Sequence, residues 1–265
     1  MHRRRTARQF RGSDMRLDAV EIKVTVDGAQ VGRGLEAFGL GSNGRQRNIY
    51  FCEDVTSSAS TSTPLLDLGV VLRARETQGN GIDSTIKLRP CRRSQLTDHW
   101  LDITDGAGGL KLEADWAGTR RVLAASCTAD RPDRSIAQVR AGAKALRSLF
   151  SAKQEQFLTD CAGIRVNLGV LTLLGPVAAT CWEPFHTAAP DHELNVVAER
   201  WVVENVLDFL ELSIRVDPDA ADVTKLAFEE LVRHRGLQLD PNQDTKTRRV
   251  LEYLVSNLTR TRSRA

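Results

Sequence analysis

The chain has few aromatic residues and no long apolar run, and each absence excludes a class of protein. Aromatic residues make up 5% of the 265, so aliphatic side chains must build most of any core. The longest apolar stretch, residues 168–179, contains Gly169, Gly175 and Pro176 and is too short and too interrupted to span a bilayer. The first residues lack the apolar segment of a secretory signal. The sequence therefore predicts a globular protein that does not insert into membranes.

The cysteines are few, odd in number and without metal-site spacing. No CxxC pair occurs, and an odd number does not suggest a disulfide framework. Reduced thiols are typical of cytosolic proteins, so the sequence predicts a cytoplasmic location. The five are Cys52, Cys91, Cys127, Cys161 and Cys181.

Positive charge is concentrated at the N-terminus. Residues 1–14 hold five arginines and one aspartate, and the rest of the chain carries a net charge of −1, against +3 for the whole. The body therefore has no globally basic surface of the kind that binds nucleic acid. Residues 1–14 are interpreted as a basic disordered leader that precedes a start at Met15, or as a segment for nucleic acid or acidic membranes. The oligomeric state is left open.

Alternation of apolar and polar residues predicts nine strands in the body of the chain. In the segment 20–26, for example, Ile22, Val24 and Val26 alternate with Glu21, Lys23 and Thr25. The predicted strands are 20–26, 48–52, 68–76, 84–88, 110–116, 121–127, 170–182, 194–203 and 207–215.

Helical spacing predicts several further elements between and after the strands. Apolar residues recur at helical intervals over 136–150, and Ser151 with Gln154 has the pattern of a capping box for the next helix. The remaining helices are predicted over 31–39, 218–235 and 245–258. We expect an α+β fold: one domain over 15–259, a helical insertion at about 134–162, and a basic tip at 260–265. Its antiparallel β-barrel would have a polar interior and helices packed outside.

Two neighbouring predicted strands each place two cations on one face. Arg73 and Arg75 share a face because side chains alternate along a strand, and Lys87 and Arg89 do so for the same reason. If the strands are neighbours, four cations crowd one patch, which is costly unless an anion or carboxylates lie among them. The pattern indicates a polyphosphate site.

Carboxylates on other strands could face these cations. Oxygen ligands of this kind are those that Mg²⁺ prefers. The carboxylates are Glu21, Glu113, Asp115 and Glu211, with Glu199 as a further metal candidate and Arg200 and Lys246 as further phosphate candidates.

These segments, in this order, resemble the CYTH family, also called the triphosphate tunnel metalloenzymes. That family has an ExExK strand, an LRxR-type strand, a strand with a lysine, acidic strands and a later ELE-like strand. The counterparts cover residues 20–250, and they are EIKVT (21–25), LRAR (72–75), IKLRP (86–90), LEAD (112–115) and ELS (211–213).

The resemblance implies an antiparallel barrel that hydrolyses inorganic triphosphate or a nucleoside triphosphate with Mg²⁺ or Mn²⁺. It assigns catalysis to Glu21, Lys23 and Glu211, and the metal to Glu113, Asp115 and Glu211. Phosphate contacts are assigned to Arg73, Arg75, Lys87 and Arg89, with Arg200 and Lys246 added.

The sequence departs from the family pattern at three positions. Lys23 stands where the second acid of ExExK is expected, Thr25 replaces the lysine, and Ser213 replaces an acid of the ELE-like motif. Fewer carboxylates weaken a magnesium site more than an anion site. Two alternatives to hydrolysis therefore stay open: a polyphosphate- or nucleotide-binding module without turnover, and adenylate cyclisation.

Structural interpretations of the same residues also stay open. Lys87 and Arg89 could cover a solvated sheet face, and Glu21 with Lys23 could form a surface ion pair of little energetic weight. Asp115, close to Gly118, could be a turn residue.

Overall fold

A computed structural model of the protein describes residues 17–55, 62–103, 109–189, 192–239, 243 and 245–262. The predicted leader lies outside the described residues, as do the last three residues of the C-terminal tip. The nine strands are β1 (Ala19–Asp27), β2 (Arg45–Glu53), β3 (Val70–Thr77), β4 (Gly81–Cys91), β5 (Leu110–Ala117), β6 (Arg120–Arg131), β7 (Thr172–Ala189), β8 (His192–Val203) and β9 (Leu207–Val216).

The nine strands close into a barrel in the order β1-β5-β6-β4-β3-β2-β7-β8-β9. Eight of the neighbouring pairs are antiparallel, and β1 pairs with β5 in parallel. The predicted α+β barrel is confirmed, and its sheet is antiparallel except at this one pair. Parallel partners need a long connection, and here β2, β3 and β4 lie between the two strands in the chain.

Seven helices in the described residues accompany the barrel. They are α1 (Ala29–Ala37), α2 (Pro64–Asp67), α3 (Asp98–Leu101), α4 (Ser135–Arg140), α5 (Ala152–Cys161), α6 (Ala221–His234) and α7 (Lys246–Arg262). None of those in the described part of the chain combines the length and hydropathy that a bilayer span requires.

Two apolar clusters cover the outside of the barrel. In one, Trp100 of α3 and Phe157 of α5 pack with outward side chains of β2 to β6. In the other, Phe228 of α6 packs with outward side chains of β1, β8 and β9. Since these outward positions are apolar, the charged side chains that alternate with them along the strands face inward.

A third cluster closes one end of the barrel. The apolar residues Phe51, Val71, Trp201 and Phe209 belong to the same cluster as the buried face of α7. That face comprises Val250, Leu251, Leu254 and Val255. The helix at the end of the chain therefore packs across one mouth of the barrel, and it carries Lys246 at its first position.

The single helix predicted over 136–150 is not observed. Helix α4 ends at Arg140, Gly142 takes φ +70°, and a short 3-10 turn at Leu146–Leu149 follows. A glycine in the left-handed region commonly ends a helix. The apolar spacing therefore reflected packing of separate short segments, not one continuous helix.

The predicted capping box is confirmed, since Ser151 caps α5 and Gln154 closes the box. Two turns join neighbouring strands. Glu204 and Asn205 adopt positive φ in the turn between β8 and β9. β3 and β4 form a hairpin through the turn at residues 78–80.

Gln154 also joins α5 to the barrel wall. Its side chain is fully buried, and its amide nitrogen donates to the carbonyl oxygens of Ser84 and Cys127. Its amide oxygen accepts from the Ser84 hydroxyl and from the backbone N–H of Ser151. Three of these four bonds are buried, where an unpaired polar group is costly.

We expect Gln154→Ala to lower the free energy of unfolding by about 2–4 kcal/mol, because it leaves buried groups of β4 and β6 unpaired. Urea denaturation would measure the change. Gln156→Ala on the exposed face of the same helix is the matched control and should stay within about 0.5 kcal/mol of the wild type. Equal effects of the two substitutions would contradict the anchoring role.

Candidate anion-binding tunnel

Inward-facing side chains of all nine strands, with the start of α7, enclose a polar cavity of about 320 Å³. A volume of this order is at the small end of known ligand sites. Among the described residues that line it, ten side chains are basic and five are carboxylates. The excess of cations gives the tunnel a positive potential, which favours an anionic ligand.

One group of charges surrounds Asp115, and we call it the Asp115 cluster: Glu21, Lys23, Lys87, Arg89 and Asp115. The Oδ2 atom of Asp115 lies 2.8 Å from Arg89, 2.9 Å from Lys23 and 3.4 Å from Lys87. Lys23 also lies 2.8 Å from Glu21. Register brings these groups together, because β1 pairs with β5 so that Glu21 stands beside Asp115.

The charges in this cluster shift one another's pKa values. Burial acts to raise the pKa of Glu21, but Lys23 and Lys87 outweigh it and lower that pKa to about 2. Burial likewise opposes ionisation of Asp115, and Lys23, Lys87 and Arg89 hold its pKa well below the usual range. Burial opposes the charge on Lys23, yet Glu21 and Asp115 raise its pKa. These three groups are therefore ionised at neutral pH.

For two cations of the tunnel, nearby carboxylates do not offset the cost of burying the positive charge. Burial, followed by the charge of Lys23, lowers the pKa of Lys87 to about 8. Burial, followed by the charge of Arg75, lowers the pKa of Arg73 to about 9. An anion placed beside either side chain would relieve this cost.

Arg73 has few partners inside the tunnel. Its buried Nε atom has no hydrogen-bond partner, and one terminal nitrogen donates to the Thr85 hydroxyl at 3.4 Å. Within the described part of the chain, no carboxylate lies within ion-pair distance of it. The neighbouring Arg75, in contrast, is bound by Asp83 at 3.1 Å.

The second group of charges lies towards α7, and we call it the Lys246 cluster: Arg47, Glu199, Glu211 and Lys246. The Lys246 ammonium lies 2.6 Å from Glu199 and 2.9 Å from Glu211, while Arg47 lies 2.9 Å from Glu199. Burial acts to raise the pKa of Glu199, but Lys246 and Arg47 hold it well below its usual value.

The tunnel opens at the end away from α7. There Lys111 is exposed, and Arg215, which pairs with Glu113, has a side chain that is 49% exposed. An anion could enter between these residues and meet the Asp115 cluster next.

The structure brings almost all predicted site residues to one cavity. Its lining includes Glu21, Lys23, Arg73, Arg75, Lys87, Arg89, Glu113, Asp115, Glu199, Glu211 and Lys246. The solvated-face interpretation of Lys87 and Arg89 does not hold, since both contact Asp115 inside the barrel. The turn interpretation of Asp115 does not hold either, because Asp115 is buried within β5.

Arg200 is the exception and requires a correction. It lies between the inward-facing Glu199 and Trp201, so its side chain points to the other face of β8. There it binds Asp208 through two hydrogen bonds of 2.9 and 2.7 Å. The sequence shows that side chains alternate between the two faces of a strand, but it does not show which face of β8 is turned to the barrel interior.

The predicted metal ligands are not brought together. Asp115 binds three cations, Glu113 binds Arg215, and Glu211 binds Lys246. Nowhere in the described chain do three or more His, Cys, Asp or Glu residues converge as a metal site. The Oδ1 atom of Asp115 is buried without a partner, but three neighbouring cations would repel a metal ion there. These residues do not fit Mg²⁺ or Mn²⁺.

Sequence reasoning missed four cations of the tunnel, which are Arg47, Lys111, Arg120 and Arg215. Arg215 follows Glu211 and Ser213 at the strand period, so the pattern of β9 could have identified it. Arg47 was missed because the predicted strand began at residue 48, whereas β2 begins at Arg45.

The chain matches no known family profile, and no curated protein matches it by sequence. By structure it is similar to a candidate adenylate cyclase from Bacillus halodurans, with a TM-score of 0.51, 14% identity, and coverage of 87% of this chain and 96% of that one. At this identity the likeness shows a shared fold.

Two further solved structures match more distantly. A Pyrococcus horikoshii protein matches with a TM-score of 0.41 and 11% identity, over 83% of this chain and 92% of its own. A candidate adenylate cyclase from Vibrio parahaemolyticus matches with a TM-score of 0.41 and 10% identity, over 83% and 90%.

We expect Asp115→Asn to lower the free energy of unfolding by about 3–5 kcal/mol at pH 7, because it leaves three cations without their shared carboxylate. The folded-state pKa of Asp115 is lowered, so its contribution is complete above the unfolded pKa of about 3.9 and is lost as pH falls below it. Urea titrations between neutral and acidic pH would measure both effects.

Asp222→Asn is the control for this prediction. Asp222 pairs with Arg121 on the surface, and its side chain is 72% exposed, so its loss should change stability little. A fall in stability no larger for Asp115→Asn than for Asp222→Asn would count against the central role of Asp115.

Proposed function

We propose that the barrel binds the phosphate chain of a multiply charged anion, either inorganic triphosphate or a nucleoside triphosphate. The observation that carries the proposal is Arg73, a guanidinium inside the tunnel with a buried, unpaired Nε and no carboxylate partner among the described residues. Leaving a charged group in this state costs free energy, and a phosphate oxygen would remove the cost.

The remaining cations supply a path for an extended anion. Lys111 and Arg215 lie at the open end, and Lys87 and Arg89 lie deeper, at the Asp115 cluster. Arginine matches phosphate oxygens in geometry as well as in charge. A linear chain of phosphates presents more oxygens to these cations than a single phosphate does.

Metal-dependent hydrolysis of the bound phosphate chain is a more specific hypothesis than binding alone, and it follows from the family resemblance. It is favoured by Glu199 and Glu211, which stand directly opposite each other on β8 and β9. It is opposed by Lys246, which occupies the space between their carboxylates. We therefore propose binding of the anion as the function and treat its hydrolysis as the second hypothesis.

Phosphate release decides between binding and turnover. If the protein is a hydrolase, it will release phosphate from tripolyphosphate or ATP when Mg²⁺ or Mn²⁺ is added, and an Arg73→Ala/Arg75→Ala double variant will not. Binding without release under either metal would assign the tunnel to a binding module. Cyclic AMP among the products would instead support cyclisation, which no described residue of the tunnel selects.

We expect Arg73→Ala to weaken tripolyphosphate binding by about 10- to 100-fold, the loss of one or two charge-assisted hydrogen bonds. Isothermal titration calorimetry would measure it, in buffer with a chelator so that no divalent metal contributes. The variant should fold, because among the described residues of the free protein Arg73 makes only one long side-chain hydrogen bond, to Thr85, that the substitution would remove.

Arg200→Ala is the matched control for Arg73→Ala. It removes an arginine from the same barrel, but from the outer face, where the partner is Asp208. Its affinity for tripolyphosphate should equal that of the wild type. Equal losses from both variants would show that net charge, and not the tunnel, governs binding.

A further inference from the structure

Two carboxylates stand directly opposite each other at the inner end of the tunnel. Glu199 on β8 is the register partner of Glu211 on β9, and both side chains face inward. Like charges at directly opposed positions repel, and a low local dielectric strengthens the repulsion. Such a pair needs a cation between its carboxylates.

The cation present is the Lys246 ammonium. It lies within hydrogen-bond distance of both carboxylates, and its residue is 6% exposed. It also lies 4.4 Å from the centroid of the Trp201 ring, a favourable position for a cation. Lys246 is thus paired on three sides by fixed groups.

We infer that Lys246 is a tethered counter-ion that takes the place of a divalent metal between Glu199 and Glu211, so that this tunnel works without a bound metal. The part of the inference that concerns ligand binding rests on the proposed function. The part that concerns the carboxylate pair does not.

The position of Lys246 in the fold supports this role. It is the first residue of α7, whose apolar face is anchored in the cluster that closes the barrel. Packing of the helix therefore sets the position of the ammonium, as ligands would set the position of a metal. A metal ion and this ammonium cannot occupy the same space.

The Asp115 cluster repeats the arrangement. There Lys23 bridges Glu21 and Asp115 at 2.8 and 2.9 Å, and Lys23 stands at the position of the second acid in the ExExK pattern. Both inner carboxylate pairs therefore hold a lysine of the same chain. A lysine presents a fixed single charge, which binds phosphate oxygens without the need for a free ion.

Removal of the lysine should expose a metal site. In Lys246→Ala, Glu199 and Glu211 would face a vacated space beside the inward-facing Thr25, which is the register partner of Glu211 on β1. Two carboxylates completed by waters are a usual set for a hard divalent ion.

The test titrates Mn²⁺ into the proteins without any phosphate ligand and follows free Mn²⁺ by electron paramagnetic resonance. We expect the wild type and Lys246→Arg to bind weakly, and Lys246→Ala to bind one Mn²⁺ at least about tenfold more tightly. Mn²⁺ should also raise the melting temperature of Lys246→Ala by mass action. Glu199→Gln/Lys246→Ala should lose the gain.

Lys225→Ala provides the matched control. Lys225 pairs with Glu229 on α6, outside the tunnel, so its removal should leave Mn²⁺ binding as weak as in the wild type. Tight binding of Mn²⁺ by the wild type, or no gain in a folded Lys246→Ala, would overturn the inference. If Lys246→Ala does not fold, the Mn²⁺ titration of the wild type tests the inference: weak binding supports it and tight binding overturns it.

A second measurement separates this inference from the proposed function. Calorimetry of the wild type with tripolyphosphate should give binding in chelator that added Mg²⁺ does not strengthen. Binding that requires Mg²⁺ would overturn the tethered counter-ion. No binding under either condition would overturn the proposed function, while the Mn²⁺ titration would still test Lys246.

Discussion

Enclosure of charge is the constraint on which the rest of this structure depends. A closed barrel takes its inward side chains out of bulk water, and an unpaired ion in such a place is strongly destabilising. The buried carboxylate of Asp115 is paired with three cations, and those of Glu199 and Glu211 are both paired with the Lys246 ammonium. Cations still exceed carboxylates in the lining, and an anionic ligand would balance this excess of positive charge.

The shape of the cavity follows from a change of side-chain type along the strands. Some of the inward residues near α7 are apolar, as at Phe51 and Trp201, and the helix packs on them beside the Lys246 cluster. Towards the other end the same faces carry arginine, lysine and carboxylate side chains. The sheet is therefore sealed by hydrophobic contact at one end and left open and charged at the other. The result is a charged pocket that helix α7 covers at one end.

The two lysines among the carboxylates separate this tunnel from the metal site that its motifs resemble. A divalent ion is exchangeable and its binding depends on solution conditions, whereas an ammonium on β1 or α7 is held by the fold itself. Lys23 and Lys246 each bridge two carboxylates. A tunnel built in this way leaves few carboxylates free to bind a metal, and its positive charge is fixed by the fold.

The residue pattern by itself determined the strands, the barrel and most of the charged residues that line the tunnel. Period-two alternation is a local property, so the order of residues alone assigns Arg73 with Arg75, and Lys87 with Arg89, to shared faces. It could not say which face is inner, and Arg200 was therefore misplaced. Partners were decided only by tertiary structure: the parallel register of β1 with β5 places Glu21 beside Asp115, and docking of α7 places Lys246 between two glutamates. Both depend on contacts between residues far apart in the chain, whose geometry no local pattern contains.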